Sequence, residues 1–402
     1  MFYKALDGAK VVEYGTLVSA PFCSKILGDL GAEVIKIEQP GCGDIARKKE
    51  PFLNDSPGLE HSGLFQYLNM NKLGVTLNPK MATGKKIFRE LLKNADIFVE
   101  NNSPRKMKGL ELTYKQVKQI NPRIIMTSIT PFGQTGPYKN YEGCELVNTH
   151  MGGVGYISTR EGNTSKEPIK YPAHLFGFQV GLSAAAATLG DFYRQCATGL
   201  GSHLDVSEQE SIIQNINSAL ANYWYGNQIV SRTDVLSIAP AHILPCKDGY
   251  IYNAFAEERQ WWRFVEVMGH PEWADIELFK DASTRAKYWD ALKPLLLEWT
   301  MEHTTEEIYR WSQEQGAPIG AVRTADQVVH NRQMAARKFF VEVENQDNIK
   351  LKYPGVPYSF SEIQREEPMA APSLGQHNKE IYCGRLGYNP RELARLKEAG
   401  VI

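Results

Sequence analysis

The stretch KVVEYGTLVSAPFCSKILGDLGAEVIKIEQPGCGD, residues 10–44, decides the fold. Its β-branched pair Val11 and Val12 indicates a buried strand that ends by Gly15. Pro21 suits the first turn of a helix and Gly31 suits its end. The apolar residues of this helix share one face, and those of a second strand follow: Phe22, Ile26, Leu27, Leu30, then Val34, Ile35 and Ile37. A strand–helix–strand unit this compact predicts parallel neighbouring strands and therefore an α/β sheet domain.

The loops that follow the two predicted strands lie at carboxyl ends of strands, where open α/β sheets bind ligands. The stretch contains no GxGxxG pattern, which disfavours a pyrophosphate site of the NAD type. The sequence therefore predicts a ligand site at this edge of the sheet that is not of the dinucleotide kind.

Composition narrows the class of protein. The 402 residues include 45 basic and 46 acidic side chains, so net charge predicts no nucleic-acid partner. No apolar run is long enough to span a membrane, and the amino terminus has no signal-peptide pattern. The six cysteines are scattered without metal-ligand spacing. These features predict a reduced, cytoplasmic protein without a membrane segment or a structural metal.

Several longer motifs resemble those of one family. The string LGDLGAEVIKIEQPGCGDIAR at 27–47 resembles the amino-terminal signature of the family III CoA-transferases, the CaiB/BaiF group. FGQTGPY at 132–138 resembles the family's loop at a strand end, and PSLGQH at 372–377 is similar to a carboxy-terminal motif. The matches run nearly from end to end of the chain.

The resemblance implies a Rossmann-like large domain over residues 1–225, to which 330–402 return, and a smaller α/β domain over 226–329. Residues 226–240 are predicted to be a linker. Asp248-Gly249, between two short apolar runs, predicts a β-hairpin at the start of the small domain. The resemblance also implies an interlocked dimer, in which the two chains thread through each other.

The resemblance implies coenzyme A, or an acyl-CoA, as a bound substrate. Its candidate contacts in this chain are Ser19, Asn71, Lys72 and Asn101, and Gln39 stands where some members carry a phosphate-facing arginine. A solvated turn is the alternative for Asn71 and Lys72. The loop predicted over 103–109 carries basic residues suited to nucleotide phosphates, with an ordinary exposed turn as the alternative.

The catalytic position of the family is empty in this chain. The family's aspartate lies four residues before a Gly-Leu pair, which here is Gly181-Leu182, so its position is Gly177. In the family this carboxylate attacks the donor thioester and then carries CoA as its own thioester, a form of covalent catalysis. Glycine cannot do this, so no residue of this chain is predicted to be the nucleophile.

Other residues near Gly177 have side chains that could take part in acyl chemistry. His174 lies three residues upstream and could act as a base or an acyl acceptor, although it would not reproduce an enzyme-bound CoA thioester. The nearby carboxylates in the sequence are Glu145, Asp191 and Glu210. Racemase chemistry, known from a related branch, is disfavoured because Cys144 and Gly177 replace its histidine and aspartate.

The sequence thus predicts a structural subunit of a heteromeric CoA-transferase, whose homologous partner carries the aspartate. The complex would move CoA from a donor such as succinyl-CoA to a carboxylic acid, with an aromatic or hydroxy succinate as the favoured acceptor. A second interpretation is a self-sufficient acyl-CoA enzyme that uses His174. A third is a CoA-binding protein without enzymatic activity.

Overall fold

In a computed structural model the chain is described over residues 4–158, 167–169, 171–231, 241–345, 348–363 and 367–402. The larger of its two units falls within residues 1–159, 167–230 and 338–402, and the smaller within 160–166 and 231–337. The sequence prediction put the bounds of the small domain at 226 and 329. Most of the predicted linker, residues 232–240, lies outside the described residues.

A six-stranded parallel sheet forms the centre of the larger unit. Its strands are β1 (Lys10–Tyr14), β2 (Glu33–Glu38), β3 (Lys72–Thr76), β4 (Ile97–Glu100), β5 (Ile125–Thr130) and β6 (His203–Ser207). They lie in the order β3-β2-β1-β4-β5-β6, and every neighbouring pair is parallel. This order reverses direction at β1, as in Rossmann-like folds, and confirms the predicted α/β class.

Helices cover both faces of this sheet. They are α1 (Ser19–Asp29), α2 (Gly63–Asn69), α3 (Ala82–Lys93), α4 (Pro104–Leu110), α5 (Tyr114–Ile120), α6 (Glu145–Met151), α7 (Val154–Ile157), α8 (Leu175–Thr198), α9 (Glu208–Ile213) and α10 (Asn217–Gly226). One apolar core joins the sheet to α3 and α5, and a second joins it to α1 and α8. Helices on both faces explain why every residue of β4 and β5 is buried.

Two segments differ from the sequence prediction. The predicted basic loop at 103–109 is helical, because the Ser103 hydroxyl caps the helix by accepting from the Lys106 amide and Pro104 suits the first turn. The polar composition of residues 45–66, with Pro51 and Pro57, predicts a long surface excursion, but the side chain of Arg47 in this segment is fully buried. Arg47 donates two hydrogen bonds to the Glu38 carboxylate, which pins this segment to the end of β2.

The smaller unit contains a three-stranded antiparallel sheet and a set of helices. The elements are β7 (Ile243–Cys246), β8 (Gly249–Asn253), β9 (Ile319–Ala321), α11 (Glu258–Val267), α12 (Ala282–Lys287), α13 (Trp289–Thr300), α14 (Thr305–Glu314), α15 (Ala325–Val329) and α16 (Arg332–Ala336). Strands β7 and β8 form the hairpin predicted at Asp248-Gly249. Trp261 and Phe264 are fully buried in the apolar core of this unit.

The carboxy-terminal part of the chain returns to the larger unit. Its elements are the antiparallel pair β10 (Phe340–Glu344) and β11 (Lys350–Pro354), a π-helical turn at Lys379–Arg385, and α17 (Pro390–Glu398). His377 and Asn378 accept hydrogen bonds from the backbone amides of Gly74 and Thr76 in β3. These contacts cover the outer edge of the sheet, which would otherwise expose unpaired backbone groups.

A cluster of buried charges joins three neighbouring strands. The Glu13 carboxylate in β1 accepts from Lys36 Nζ of β2 at 2.7 Å and from Lys72 Nζ of β3 at 2.8 Å. All three side chains are fully buried. Burial by itself would raise the pKa of Glu13, but the two ammonium groups lower it to about 2. Removing this carboxylate would leave the buried Lys72 ammonium group without a carboxylate partner, whereas Lys36 would keep its ion pair with Asp44.

We expect Glu13→Gln to lower the free energy of unfolding of the larger unit by about 3–5 kcal/mol, since it breaks buried ion pairs from one side. Urea unfolding measured by far-UV circular dichroism tests this, with the exposed Glu398→Gln as the control. Tryptophan fluorescence reports mainly on the smaller unit, because Trp224 is the only tryptophan outside residues 231–337. Equal stability of the two variants would contradict the expectation.

Candidate functional site

The loop after β1 is held by Asn101, which follows β4 at the carboxyl edge of the sheet. The Asn101 side chain donates to the Thr16 carbonyl and accepts from the Thr16 amide, both at 2.8 Å. It also donates to Ser19 Oγ at 3.1 Å. The structure therefore brings together two of the residues predicted to contact CoA, at the edge where ligands bind in such sheets.

Ser19 connects this loop to a carboxylate that the sequence analysis missed. Ser19 Oγ donates to Glu208 Oε1 at 3.2 Å, and Asn148 Nδ2 donates to Glu208 Oε2 at 2.6 Å. Burial raises the pKa of Glu208, and the negative charge of Glu145 adds to this rise. Glu208 is the first residue of α9, and no motif or spacing singles it out in the sequence.

Asn71 and Lys72 lie elsewhere, at the amino end of β3. The side-chain Nδ2 of Asn71 donates to Asp29 Oδ1 at 2.8 Å, and its Oδ1 accepts from the backbone amide of Met369 at 2.8 Å. Lys72 is buried and donates to Glu13, to Asn69 and to the Pro21 carbonyl. Burial lowers the pKa of Lys72 to about 8. A contact with the CoA phosphates stays a prediction for both residues, whereas their observed contacts are internal.

Gln39 is exposed directly after β2, at the same carboxyl edge as Ser19 and Asn101. The predicted contacts are thus divided between the two ends of the sheet. The order of the sequence already contains this division, since Asn71 and Lys72 stand before the residues predicted as a strand and the other three residues stand after one.

Gly177 lies in the first turn of α8, where backbone amides point outward without partners in the helix. The Glu145 carboxylate caps this end from α6. Its Oε1 accepts from the Phe176 amide at 2.9 Å and from the Gly177 amide at 3.4 Å. Its Oε2 lies 2.9 Å from His174 Nδ1. Of the carboxylates considered from the sequence, Glu145 is the one that the structure brings to Gly177.

The backbone does not require glycine at position 177, because Gly177 is helical. A Cβ atom there would lie 3.1 Å from both Cβ and Cγ1 of Val18, so Val18 would have to shift by a few tenths of an ångström. Gly181, one turn later, is different: a Cβ atom would lie 2.7 Å from the Ser19 carbonyl oxygen. Gly181 allows α8 to approach α1 closely, whereas Gly177 simply lacks a functional group.

A buried carboxyl group lies at the end of β4, next to Asn101. Glu100 is fully buried; its Oε2 accepts from the Asn102 amide at 2.7 Å, and its Oε1 has no hydrogen-bond partner. Burial raises the pKa of Glu100 to about 7, against the opposing hydrogen bonds from Ser128 and Asn102.

Among the described residues, no group of three or more histidine, cysteine or acidic side chains is arranged to hold a metal ion. In the same part of the chain, no helix has the length and apolar character needed to cross a membrane.

The parallel sheet, its order and the loops at its carboxyl edge agree with a known family. The model of CoA-transferase family III matches residues 6–378, and the chain belongs to this family.

Among its relatives, the human succinyl-CoA:glutarate CoA-transferase is 30% identical, covering 99% of this chain and 90% of the relative. The succinyl-CoA–D-citramalate CoA-transferase of Chloroflexus aurantiacus is 28% identical over 99% of this chain and 98% of its own. Subunit BbsE of the succinyl-CoA:(R)-benzylsuccinate CoA-transferase of Thauera aromatica is 28% identical, covering 95% of this chain and 94% of the relative. A CaiB/BaiF family protein from Brucella suis has a similar crystal structure, with a TM-score of 0.84 and 27% identity over 95% of this chain and 99% of that one.

The buried Glu100 predicts a pH-dependent stability. The pKa of Glu100 is raised in the folded protein, so the unfolded chain loses this proton at a lower pH than the folded protein does. The free energy of unfolding therefore falls as the pH rises from about 4.5 to about 7. We expect Glu100→Gln to remove this fall and to be more stable than the wild type by on the order of 3 kcal/mol above the window.

Urea unfolding at a series of pH values measures the difference between the two proteins, with Glu398→Gln as an exposed control. A difference between Glu100→Gln and the wild type that does not change with pH would contradict the expectation.

Proposed function

We propose that this chain is a subunit of a CoA-transferase built from two homologous chains, and that the nucleophilic aspartate belongs to the other chain. The observation that carries this proposal is the first turn of α8, where Gly177 offers no carboxylate. A CoA-transferase of this kind must accept CoA on a carboxylate and return it to another. The chain keeps the fold that surrounds this position and lacks the group that reacts.

An exposed apolar face supports assembly with a second chain. On α8, the side chains of Leu182 and Tyr193 are 56% and 82% exposed. At the end of α10, Trp224 and Tyr225 are 76% and 95% exposed. Large exposed apolar side chains are enriched at protein interfaces. An interlocked dimer of homologous chains, as the sequence resemblance implies, would bury such a surface over an area well above about 2,000 Å².

The relatives support the choice of donor and acceptor. BbsE is named as a subunit of its enzyme, and all three relatives named above use succinyl-CoA. Their acceptors are glutarate, D-citramalate and benzylsuccinate, which are all dicarboxylic acids. We therefore propose succinyl-CoA as the donor and a dicarboxylic acid, such as an aromatic or hydroxy succinate, as the acceptor.

The proposed CoA contacts of this chain are Ser19, Gln39 and Asn101, which share the carboxyl edge of the sheet. The polar atoms of Asn101 and Ser19 already bind one another, Thr16 and Glu208. These two residues would therefore contribute to CoA binding by holding the loop after β1 in its conformation. All six cysteines are free, which fits a reducing cytoplasmic location.

The pairing of His174 with Glu145 favours a second candidate function. A histidine held by a carboxylate can activate water as a general base, and water attacking an acyl-CoA thioester would release a carboxylic acid and free CoA. If the chain alone releases CoA thiol from succinyl-CoA, and His174→Ala abolishes this release, the chain is a hydrolase and the two-chain proposal is wrong.

We expect the chain alone to form no covalent CoA adduct with succinyl-CoA and to transfer no CoA to benzylsuccinate or citramalate. Co-expression with a homologous family member that has the aspartate should give transfer activity. Native mass spectrometry of the purified complex should then show two subunits of similar size. A homodimer of this chain that turns over succinyl-CoA by itself would refute the proposal.

We expect Leu182→Lys and Tyr193→Lys to weaken assembly with the partner at least about tenfold, because each would place a charge in an apolar interface. Sedimentation velocity over a range of concentrations measures this. Met81→Lys on the surface near α3, where Met81 is 36% exposed, is the control. Unchanged assembly of both α8 variants would show that the partner binds elsewhere.

A further inference from the structure

Three aromatic rings pack together in the loop that follows β5. The rings of Tyr138 and Tyr141 stack with their centroids 4.9 Å apart, and Phe132 meets both of them edge-on, at 6.0 and 6.4 Å. Tyr138 and Tyr141 are nevertheless 43% and 59% exposed. Contacts between aromatic rings are favourable beyond the area that they bury. This aromatic cluster, Phe132, Tyr138 and Tyr141, therefore offers a surface on which a further ring could stack.

The loop that carries the aromatic cluster is fixed to the rest of the larger unit. The Pro131 carbonyl accepts from the Gln209 amide at 3.1 Å. Both oxygens of Asp205 accept from the Gln134 amide at 3.0 Å. A binding surface that is already ordered loses little conformational entropy when a ligand binds. The loop backbone is thus held in place before any ligand arrives.

The aromatic cluster lies at the carboxyl edge of the parallel sheet. Strand β5 ends at Thr130, directly before the loop, and it pairs with β4, which is followed by Asn101. Asn101 is among the proposed CoA contacts at this edge. Because open α/β sheets bind their ligands outside the carboxyl ends of the strands, the cluster stands where a substrate is expected. The proposed CoA contacts do not include it.

A cationic side chain stands between the two tyrosines in the sequence. Lys139 is exposed, and none of the ion pairs among the described residues includes it. Its ammonium group is a compact charge with three hydrogen-bond donors, which suits a carboxylate. The stacking surface and this cation together match the two parts of an aromatic carboxylic acid, its ring and its charge.

We propose that the loop after β5 binds an aromatic dicarboxylic acid, whose ring stacks on the aromatic cluster and whose carboxylate pairs with Lys139. The inference rests on the proposed function and deepens it, since it selects an aromatic succinate over a hydroxy succinate as the acceptor. A protein partner is the other occupant that exposed aromatic residues could have. Lysine is depleted in the buried centre of protein interfaces, so the position of Lys139 favours the acid.

The test measures the dissociation constants of three probes from the full-length chain by ligand-detected NMR titration. The probes are benzylsuccinate, methylsuccinate, which lacks the ring, and 3-phenylpropanol, which lacks the carboxylates. The variants are Tyr141→Leu and Lys139→Met. Their matched controls are Tyr156→Leu in α7 and Lys93→Met at the end of α3, because both side chains are exposed and lie outside the loop.

We expect Tyr141→Leu to weaken benzylsuccinate binding about three- to tenfold, because a ring contact is lost, and to leave methylsuccinate binding unchanged. Lys139→Met should weaken the binding of both acids about two- to fivefold and leave 3-phenylpropanol unchanged. The two control variants should bind all three probes as the wild type does. Benzylsuccinate binding that neither loop variant changes, or no benzylsuccinate binding to the wild-type chain, would overturn the proposal.

Measurements on the complex with the partner chain separate this inference from the proposed function. If the complex transfers CoA to benzylsuccinate with the same kcat/KM in the wild type and in Tyr141→Leu, the proposed function stands and the acid-binding site is wrong. If Tyr141→Leu loses the partner chain while its affinity for benzylsuccinate is unchanged, the aromatic cluster is a protein interface and the proposal is overturned. Turnover of succinyl-CoA by the wild-type chain alone would instead refute the proposed function and leave the binding result as it is.

Discussion

The Glu13 carboxylate, buried between the ammonium groups of Lys36 and Lys72, fixes the part of the molecule on which the site depends. It joins three neighbouring strands, and Lys72 extends the connection to the Pro21 carbonyl in the first turn of α1. Lys36 also donates to Asp44, whose carboxylate accepts from the Leu17 amide in the loop after β1. Because a buried charge must keep its partners, these loops have little freedom to move.

The loop after β1 leads into α1, and α1 in turn positions α8. Helix α8 packs on α1, and Gly181 lets its backbone approach the Ser19 carbonyl. Val18 then lies against Gly177, and Ser19 reaches Glu208. The turn around Gly177 is therefore held in place by packing against α1. The carboxylate at this helix end comes from Glu145 on α6.

Much of this could be predicted from sequence, and the reasons are local. The strand–helix–strand pattern of residues 10–44 and the Asp248-Gly249 hairpin each depend on spacing and turn chemistry, which the chain itself records. Contacts between distant segments leave no such record. The role of Lys72 depends on Glu13, 59 residues away, and the meeting of Glu145 with His174 spans 29 residues. Neither pairing has a spacing that a periodic pattern would reveal.

The turn around Gly177 is held without a side chain on that residue, and the energetics of the helix end explain why. A helix amino terminus without an acceptor leaves backbone amides unpaired, which is costly where water is restricted. Glu145 supplies the acceptor, so nothing in this turn selects for a side chain on residue 177. The same contact connects α6 to α8, and both helices also pack against α9.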